Sequence, residues 1–368
     1  MQRVAIVSVV TILTSALGRW PDAAVAWNTG RMYGTPMRAR LTDVAVWRNR
    51  AYACWPRTDA SQPVTLLELP WPETDDEQSL QWKPRRPFHA DQQKLYDCSS
   101  VQSAISVDLD KFRGHLYVLD GGYDNCQPKV IVYDLKTYKY IQSVELGGLN
   151  GSGLTTLVVD ARPFKAEMRV YVGDTHSGRI VVLDPDRNIW YMVALHAQNY
   201  GGAVIQDYRR PEVNQEVTAE CIAVSKLHSS VYLTSMRSHD LYTASFKDLR
   251  NITSYVTPSV KDGDVLPVGL RVRWEGVKLG VSSGLYADIQ GGLNYVYTRD
   301  FVAVRLSLIA GGAPVTAENH KVLLQSYDLL PAVTKIFTDN TNYLQVWALN
   351  AVPNSKNRHL VKINTLTL

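Results

Sequence analysis

One short pattern returns six times along the 368 residues: an apolar alternating run, a turn, and a second run that carries an aromatic ring at its second position. The second runs are Ala51–Trp55, Leu116–Asp120, Val170–Asp174, Val231–Ser235, Asn294–Thr298 and Val346–Asn350. Their rings, Tyr52, Tyr117, Tyr171, Tyr232, Tyr295 and Trp347, stand 65, 54, 61, 63 and 52 residues apart. The partner runs are Leu41–Val46, Ala104–Asp108, Thr156–Asp160, Cys221–Ser225, Leu285–Ile289 and Val333–Phe337. Third runs follow at Lys129–Asp134, Arg179–Asp184, Asp240–Ser245 and Phe301–Leu306, and turn chemistry such as Tyr-Asp-Leu or Leu-Asp-Pro closes several of them.

A repeat of this length and composition restricts the fold severely. Helical periodicity is weak throughout, so a βαβ reading would leave the strands without crossover helices. Small sheets set radially bury their faces on their neighbours and leave only short edges. The sequence therefore predicts an all-β, six-bladed β-propeller in which residues 19–368 form one domain. Ring closure is expected from Trp27 and its neighbours, from the C-terminal run Leu360–Ile363, or from both. One large ring at an equivalent place in each repeat is what packing between blades requires, so the aromatics are assigned to the core.

Three positions beyond each ring, alternation turns the side chain to the other face, and the strand's end brings it near a loop. Asp120, Asp174, Ser235, Thr298 and Asn350 are accordingly predicted to gather at one mouth of the central channel, with Trp55 in the sixth place. Such a ring of polar groups with one aromatic wall suits a small aromatic ligand. It equally suits the task of satisfying loop backbone groups.

Residues 1–18 combine Arg3, the apolar stretch Val4–Leu17 and the triplet Ala16-Leu17-Gly18, the pattern of a secretory signal, so the protein is expected to be secreted and extracellular. Beyond it no apolar run is long enough to span a bilayer, and 39 basic against 35 acidic residues lie evenly along the chain. Neither membrane nor nucleic acid is an expected partner. The four cysteines, Cys54, Cys98, Cys126 and Cys221, have no CxxC spacing, so disulfides rather than zinc are their natural use in an oxidising compartment. Cys98 and Cys126 flank one candidate hairpin, while Cys54 either pairs with Cys221 or stays free. The sequons at Asn150 and Asn251 sit in turn-like stretches where a glycan fits.

Catalytic motifs are scarce. The eight histidines, His89, His115, His176, His196, His228, His239, His320 and His359, show no metal-ligand spacing, so no metal and no cofactor is expected. No nucleophile elbow, phosphate loop or dinucleotide fingerprint follows a strand. A tautomerisation needs only a base and a proton donor beside a bound catechol, and Asp120, Asp174 and His176 could supply them. The same two carboxylates would suit a cationic amine by charge alone.

With the repeats located, the segments Tyr96-Asp97-Cys98, Val101–Ala104, Leu116–Gly122, Cys126 with Pro128, and Val132–Leu135 resemble the Yellow/major royal jelly protein family. Val170–Asp174 with Gly178–Val182 is similar to its next blade, and Arg38-Ala39-Arg40, Trp55-Pro56-Arg57 and Pro63–Leu66 are similar to its early segment. The resemblance implies a secreted six-bladed propeller with Cys98 bridged to Cys126. It implies roles ranging from cuticle, eggshell or pigmentation work within a secreted matrix to binding of biogenic amines, and in some members dopachrome conversion. Members that bind amines carry a Ser-Asn-basic-aromatic segment in the last blade. Here Leu349-Asn350-Ala351-Val352-Pro353 stands in its place, and only Asn350 carries over. The leading expectation is a non-catalytic protein of a secreted matrix that binds small catechols or amines, with dopachrome tautomerase as the alternative.

Overall fold

A computed structural model describes residues 40–71, 88, 90–161, 168–198, 217–252, 260–308, 315–339, 343–352 and 358–366. Residues 1–18, Trp27, Arg38, His89 and Pro353 lie outside the described residues.

The chain is nearly all β. Its first antiparallel unit is β1 (Asp43–Trp47), β2 (Arg50–Cys54) and β3 (Leu66–Pro70). The second is β4 (Ala104–Asp110), β5 (His115–Asp120), β6 (Lys129–Asp134) and β7 (Lys139–Glu145). There follow β8 (Leu154–Asp160), β9 (Arg169–Asp174), β10 (Arg179–Asp184) and β11 (Ile189–Gln198), then β12 (Cys221–Ser225), β13 (Ser230–Thr234), β14 (Asp240–Ser245) and β15 (Leu270–Val277). These last two runs join into one eight-stranded sheet because β11 and β15 pair in parallel, Leu195 opposite Leu270. The fifth unit is β16 (Ser282–Ala287), β17 (Leu293–Tyr297), β18 (Val302–Leu306) and β19 (His320–Gln325), and the last is β20 (Val333–Thr338), β21 (Gln345–Asn350) and β22 (Leu360–Thr365). A short helix, α1 (Phe246–Asn251), follows β14, with the Ser245 hydroxyl accepting from the Lys247 N–H as its cap.

The first strands of successive units lie side by side, β1 by β4, β4 by β8, β8 by β12, β12 by β16, β16 by β20, and β20 again by β1. Packing follows the same circuit. Among the described residues each hydrophobic cluster straddles two consecutive units. Tyr52 with Val107 and Leu116, Tyr117 with Leu157 and Val170, and Tyr171 with Ile222 and Val231 illustrate the first three. Tyr232 with Leu285 and Tyr295, Val296 with Ile336 and Val346, and Trp71 with Phe337 and Leu360 complete the set. The rings assigned to the core from sequence are buried there, apart from Trp347, which packs against its cluster partly buried. Tyr117 and Tyr171 lie at about 1% exposure or less, and burial raises the pKa of both phenols.

Closure differs in detail from expectation. The C-terminal strand β22 pairs with β21 inside its own unit. First and last units are joined by Leu360 of that strand within their shared cluster, by Trp71 against Trp347 and Phe337, by the Leu41 N–H donating to the Ala351 carbonyl at 3.1 Å, and by Lys335 with Asp43 at 3.0 Å. The fourth strands were not visible as repeats. β7 and β19 form outer edges and present Lys139, Tyr140, Ile141, Lys321 and Val322 to solvent, so neither burial nor alternation marks them. β16 begins three residues earlier than the Leu285–Ile289 run, because Gly284, at φ +71°, lets the strand bulge against Lys335 and Ile336 of β20.

Candidate functional site

The first strands line the axis of the ring and are unusually polar for central strands. Asp43 on β1 accepts from the Ser106 hydroxyl on β4, and the Ser106 oxygen accepts the Leu157 N–H on β8 at 2.9 Å. Asp108 accepts the Val159 N–H at 2.7 Å, Thr155 and Thr156 donate to the Glu220 carbonyl before β12, and Ser283 donates to the Val333 carbonyl at 2.6 Å. Side chains thus cross-link the first strands of neighbouring units. Burial opposes the charge on Lys335, but Asp43 and Asp108 outweigh it and raise its pKa. Asp108 is raised by burial, with Lys335 working against the rise. Beside this network the Cys54 thiol is pushed well up by burial and Asp43; it and Cys221 are free and buried, so they are not paired.

At one end of the ring each second strand stops beside the loop that enters its own first strand. Asp120 sits here, fully buried, and accepts from the N–H groups of Gln102, Ser103 and Gly122 at 2.8, 2.7 and 3.0 Å, with Lys129 3.4 Å away. Asn350 is likewise buried, donating to the Leu329 carbonyl and accepting from the Ala332 N–H. Thr298 donates to the Val281 carbonyl at 3.3 Å. Trp55 lies inside the cluster between first and last units, near Leu41, Leu349 and Leu360. The polar atoms of Asp120 and Asn350 therefore serve the loop backbone, and Trp55 is packed away from solvent.

A different grouping emerges along one arc of this mouth. Gly121 abuts Gly151, and Gly153 abuts the side chains of Asp174 and His176; a Cβ at Gly151 or Gly153 would stand 1.8 or 2.1 Å from those neighbours. Gly173 in turn meets the Ala219 carbonyl. Asp174 accepts the His176 N–H at 2.9 Å and the Ser177 hydroxyl at 2.6 Å, with the exposed His176 ring nitrogen 3.9 Å from its oxygen. Ser235 donates to Glu220 at 2.6 Å, and the same carboxylate accepts the Met236 N–H at 2.8 Å. Close by, the buried Lys278 amine donates to the Ser282 hydroxyl at 2.6 Å and the Ser235 carbonyl at 3.3 Å, and burial pulls its pKa down to about 8. Asp174 and Ser235 are expected here from their place in the repeat, and His176 from its candidacy as base or donor beside a bound catechol. Glu220 and Lys278 are not, because they lie in loops between repeats where no spacing singles them out.

Arg57 anchors the rim beside Asp120. It is buried and donates to the carbonyls of Gln62, Gln102, Pro63 and Gln93 at 3.0, 2.7, 3.4 and 3.3 Å. Burial lowers its pKa, against the pull of Asp120. The Cys98–Cys126 disulfide, Cα atoms 5.1 Å apart, ties the same rim. Asn150 caps the turn at Gly151 by accepting from Ser152 N–H and hydroxyl, and Asn251 ends α1. Among the described residues no three His, Cys, Asp or Glu side chains could share a metal ion. Among those residues, too, no helix is long and apolar enough to cross a membrane.

These features define a class: a closed circuit of small antiparallel sheets, propeller-like, with a polar axis and a loop-built mouth. The major royal jelly protein family model matches residues 102–360, most of the chain, and the chain belongs to that family. Major royal jelly protein 2 of Apis mellifera is 26% identical over 213 residues, 54% of this chain and 46% of the relative. Major royal jelly protein 3 of the same bee is 27% identical over 175 residues, 43% and 31% of the two chains. Dopaminechrome tautomerase of Drosophila melanogaster is 27% identical over 106 residues, 27% of this chain and 22% of the enzyme. The aligned region spans about a third to a half of the length of the royal jelly relatives. Among solved structures, virginiamycin B lyase from Staphylococcus aureus superposes at a TM-score of 0.44 with 9% identity, covering 85% of this chain and 78% of that one. A chain of the nidogen/laminin complex reaches 0.46 with 10% identity, covering 89% and 92%.

Proposed function

We propose that this chain is a secreted six-bladed propeller of the major royal jelly family that binds a small cationic catechol or aromatic amine at the loop-built mouth and works in an extracellular matrix without turning the ligand over. Six units, six inter-unit clusters and the return of β20 to β1 support the blade count. The observation that carries the ligand is the pair of carboxylates, Asp174 and Glu220, on adjacent units of one arc. Each is fixed by hydroxyl and N–H donors, and among the described residues neither has a Lys or Arg in ion-pair contact. Two carboxylates oriented by neutral donors favour an ammonium group, with ligand specificity coming from position as well as charge.

A tautomerase is the second reading, favoured by the 3.9 Å approach of His176 to Asp174 and by the resemblance to dopaminechrome tautomerase. In that reading the imidazole removes a ring proton and a donor protonates the oxygen that gains charge, with no net change in electrons. Isothermal calorimetry with dopamine and serotonin, run beside the absorbance decay of dopaminechrome, separates the two. The binder gives heat with an amine, loses at least tenfold in affinity on Asp174→Asn, and leaves the decay at its buffer rate. Accelerated decay that disappears on His176→Ala replaces it by the enzyme, and absence of heat with either amine removes the ligand site.

A further inference from the structure

The opposite end of the ring is built from the hairpin turns between first and second strands, and its chemistry is reversed. Its described turn carboxylates, Asp110, Asp288 and Asp339, are all buried. Asp110 and Asp288 are held by Arg113 and Arg305, and Asp339 accepts the Trp71 indole N–H at 2.8 Å. Among the described residues the exposed charges left on these turns are positive: Arg48, Lys111 and Lys226. Each lies over an aromatic ring, Arg48 at 5.5 Å from the Trp47 centroid, Lys111 at 4.9 Å from Tyr343 and Lys226 at 5.6 Å from Phe112.

The partners of the two lysines lie on alternate units. Lys226 of the fourth unit reaches Phe112 of the second, and Lys111 of the second reaches Tyr343 of the sixth. In a circuit of six, side chains that skip a unit meet by converging on the axis, so these groups cover the channel's end. Apolar surface surrounds them, with Phe112 51%, Leu227 64%, Ile289 48% and Tyr343 42% exposed. Although the Lys111 side chain is exposed overall, desolvation of its amine near the axis lowers its pKa; Asp108 opposes this, Lys226 adds to it and Asp339 opposes it. A bound anion would relieve both the burial penalty and the repulsion from Lys226.

We propose that the hairpin end of the ring is a second binding site, for an organic carboxylate with an apolar body, whose carboxylate is held by Lys111 and Lys226 while its apolar part lies on Phe112, Leu227 and Tyr343. The two neighbouring amines select an anion, and the exposed rings and aliphatics select an apolar tail. This site is independent of the amine mouth at the other end.

Calorimetry on the full chain with octanoate, octan-1-ol and inorganic phosphate tests it. Octanoate binds, the alcohol and phosphate each bind at least tenfold more weakly, and the Lys111→Ala/Lys226→Ala double variant loses at least tenfold in octanoate affinity. Both positions are exposed, so the variant keeps the near-UV circular dichroism of the parent, and its response to dopamine, whatever that is in the parent, stays the same. No heat from octanoate, an unchanged octanoate affinity in a folded double variant, or phosphate binding as tightly as octanoate overturns the proposal. The dopamine arm reads the other mouth alone, so either site can fail without the other.

Discussion

Arg57 shows how one side chain can hold a rim together. Its guanidinium satisfies carbonyls from three separate segments, around Gln62, Gln93 and Gln102. Arg57→Ala would strand these acceptors in a buried loop cluster and should cost about 3 kcal/mol, read as a lower urea midpoint at unchanged slope. Lys278 makes the opposite kind of statement. Its folded pKa of about 8 lies below the ordinary lysine value of 10.5, so the folded state resists the charged amine, and the penalty is present in full below pH 8. Between pH 8 and 10.5 the unfolded chain holds more protons than the folded one, so this residue's contribution to stability improves as pH rises. Relative to Lys278→Met, the parent should gain roughly 2 kcal/mol between pH 7 and pH 9.5 in urea unfolding. A difference that stays flat or shrinks across that window would show that the amine is not held in a desolvated site.

At the scale of elements, the loop from Cys98 to Cys126 contains β4 and β5 and delivers Asp120 to the rim. Closing a loop of 28 residues restricts the unfolded chain, and replacing both cysteines by serine should cost about 3 kcal/mol in oxidised protein, measured by calorimetric unfolding. The reduced parent should match the variant. The strands were legible wherever one face is core and the other is loop or channel: β5, β9 and β21 each carry one ring at an equivalent place, and each ends at the position the repeat implies. The outer strands β7 and β19 were not, since an exposed edge imposes no alternation. The same limit governs the site. Position in the repeat singled out Asp120, Asp174 and Asn350 together, but the side chain cannot announce whether a nearby loop will consume it. In Asp120 and Asn350 the loop does. Glu220 and Lys278 come from connections of irregular length, where spacing carries no information.

Across the whole molecule, polarity is distributed along the axis. The mouth at the strand ends carries Asp174 and Glu220 with Lys278 close by, the middle holds Asp43 and Asp108 around Lys335, and the hairpin end exposes Lys111 and Lys226 above buried carboxylates. A closed ring makes such an arrangement possible because equivalent turns of every unit emerge at the same end. A formal charge of +4 over 368 residues does not report such local groupings, because an average over the chain discards position. A crystal structure of the protein with dopamine is the most direct test of the central claim. Six units are expected around one axis, with the dopamine ammonium about 3 Å from a carboxylate oxygen of Asp174 or Glu220 and the catechol ring directed into the channel. Dopamine at the hairpin end, or at saturating concentration nowhere on the arc between Asp174 and Glu220, would contradict it.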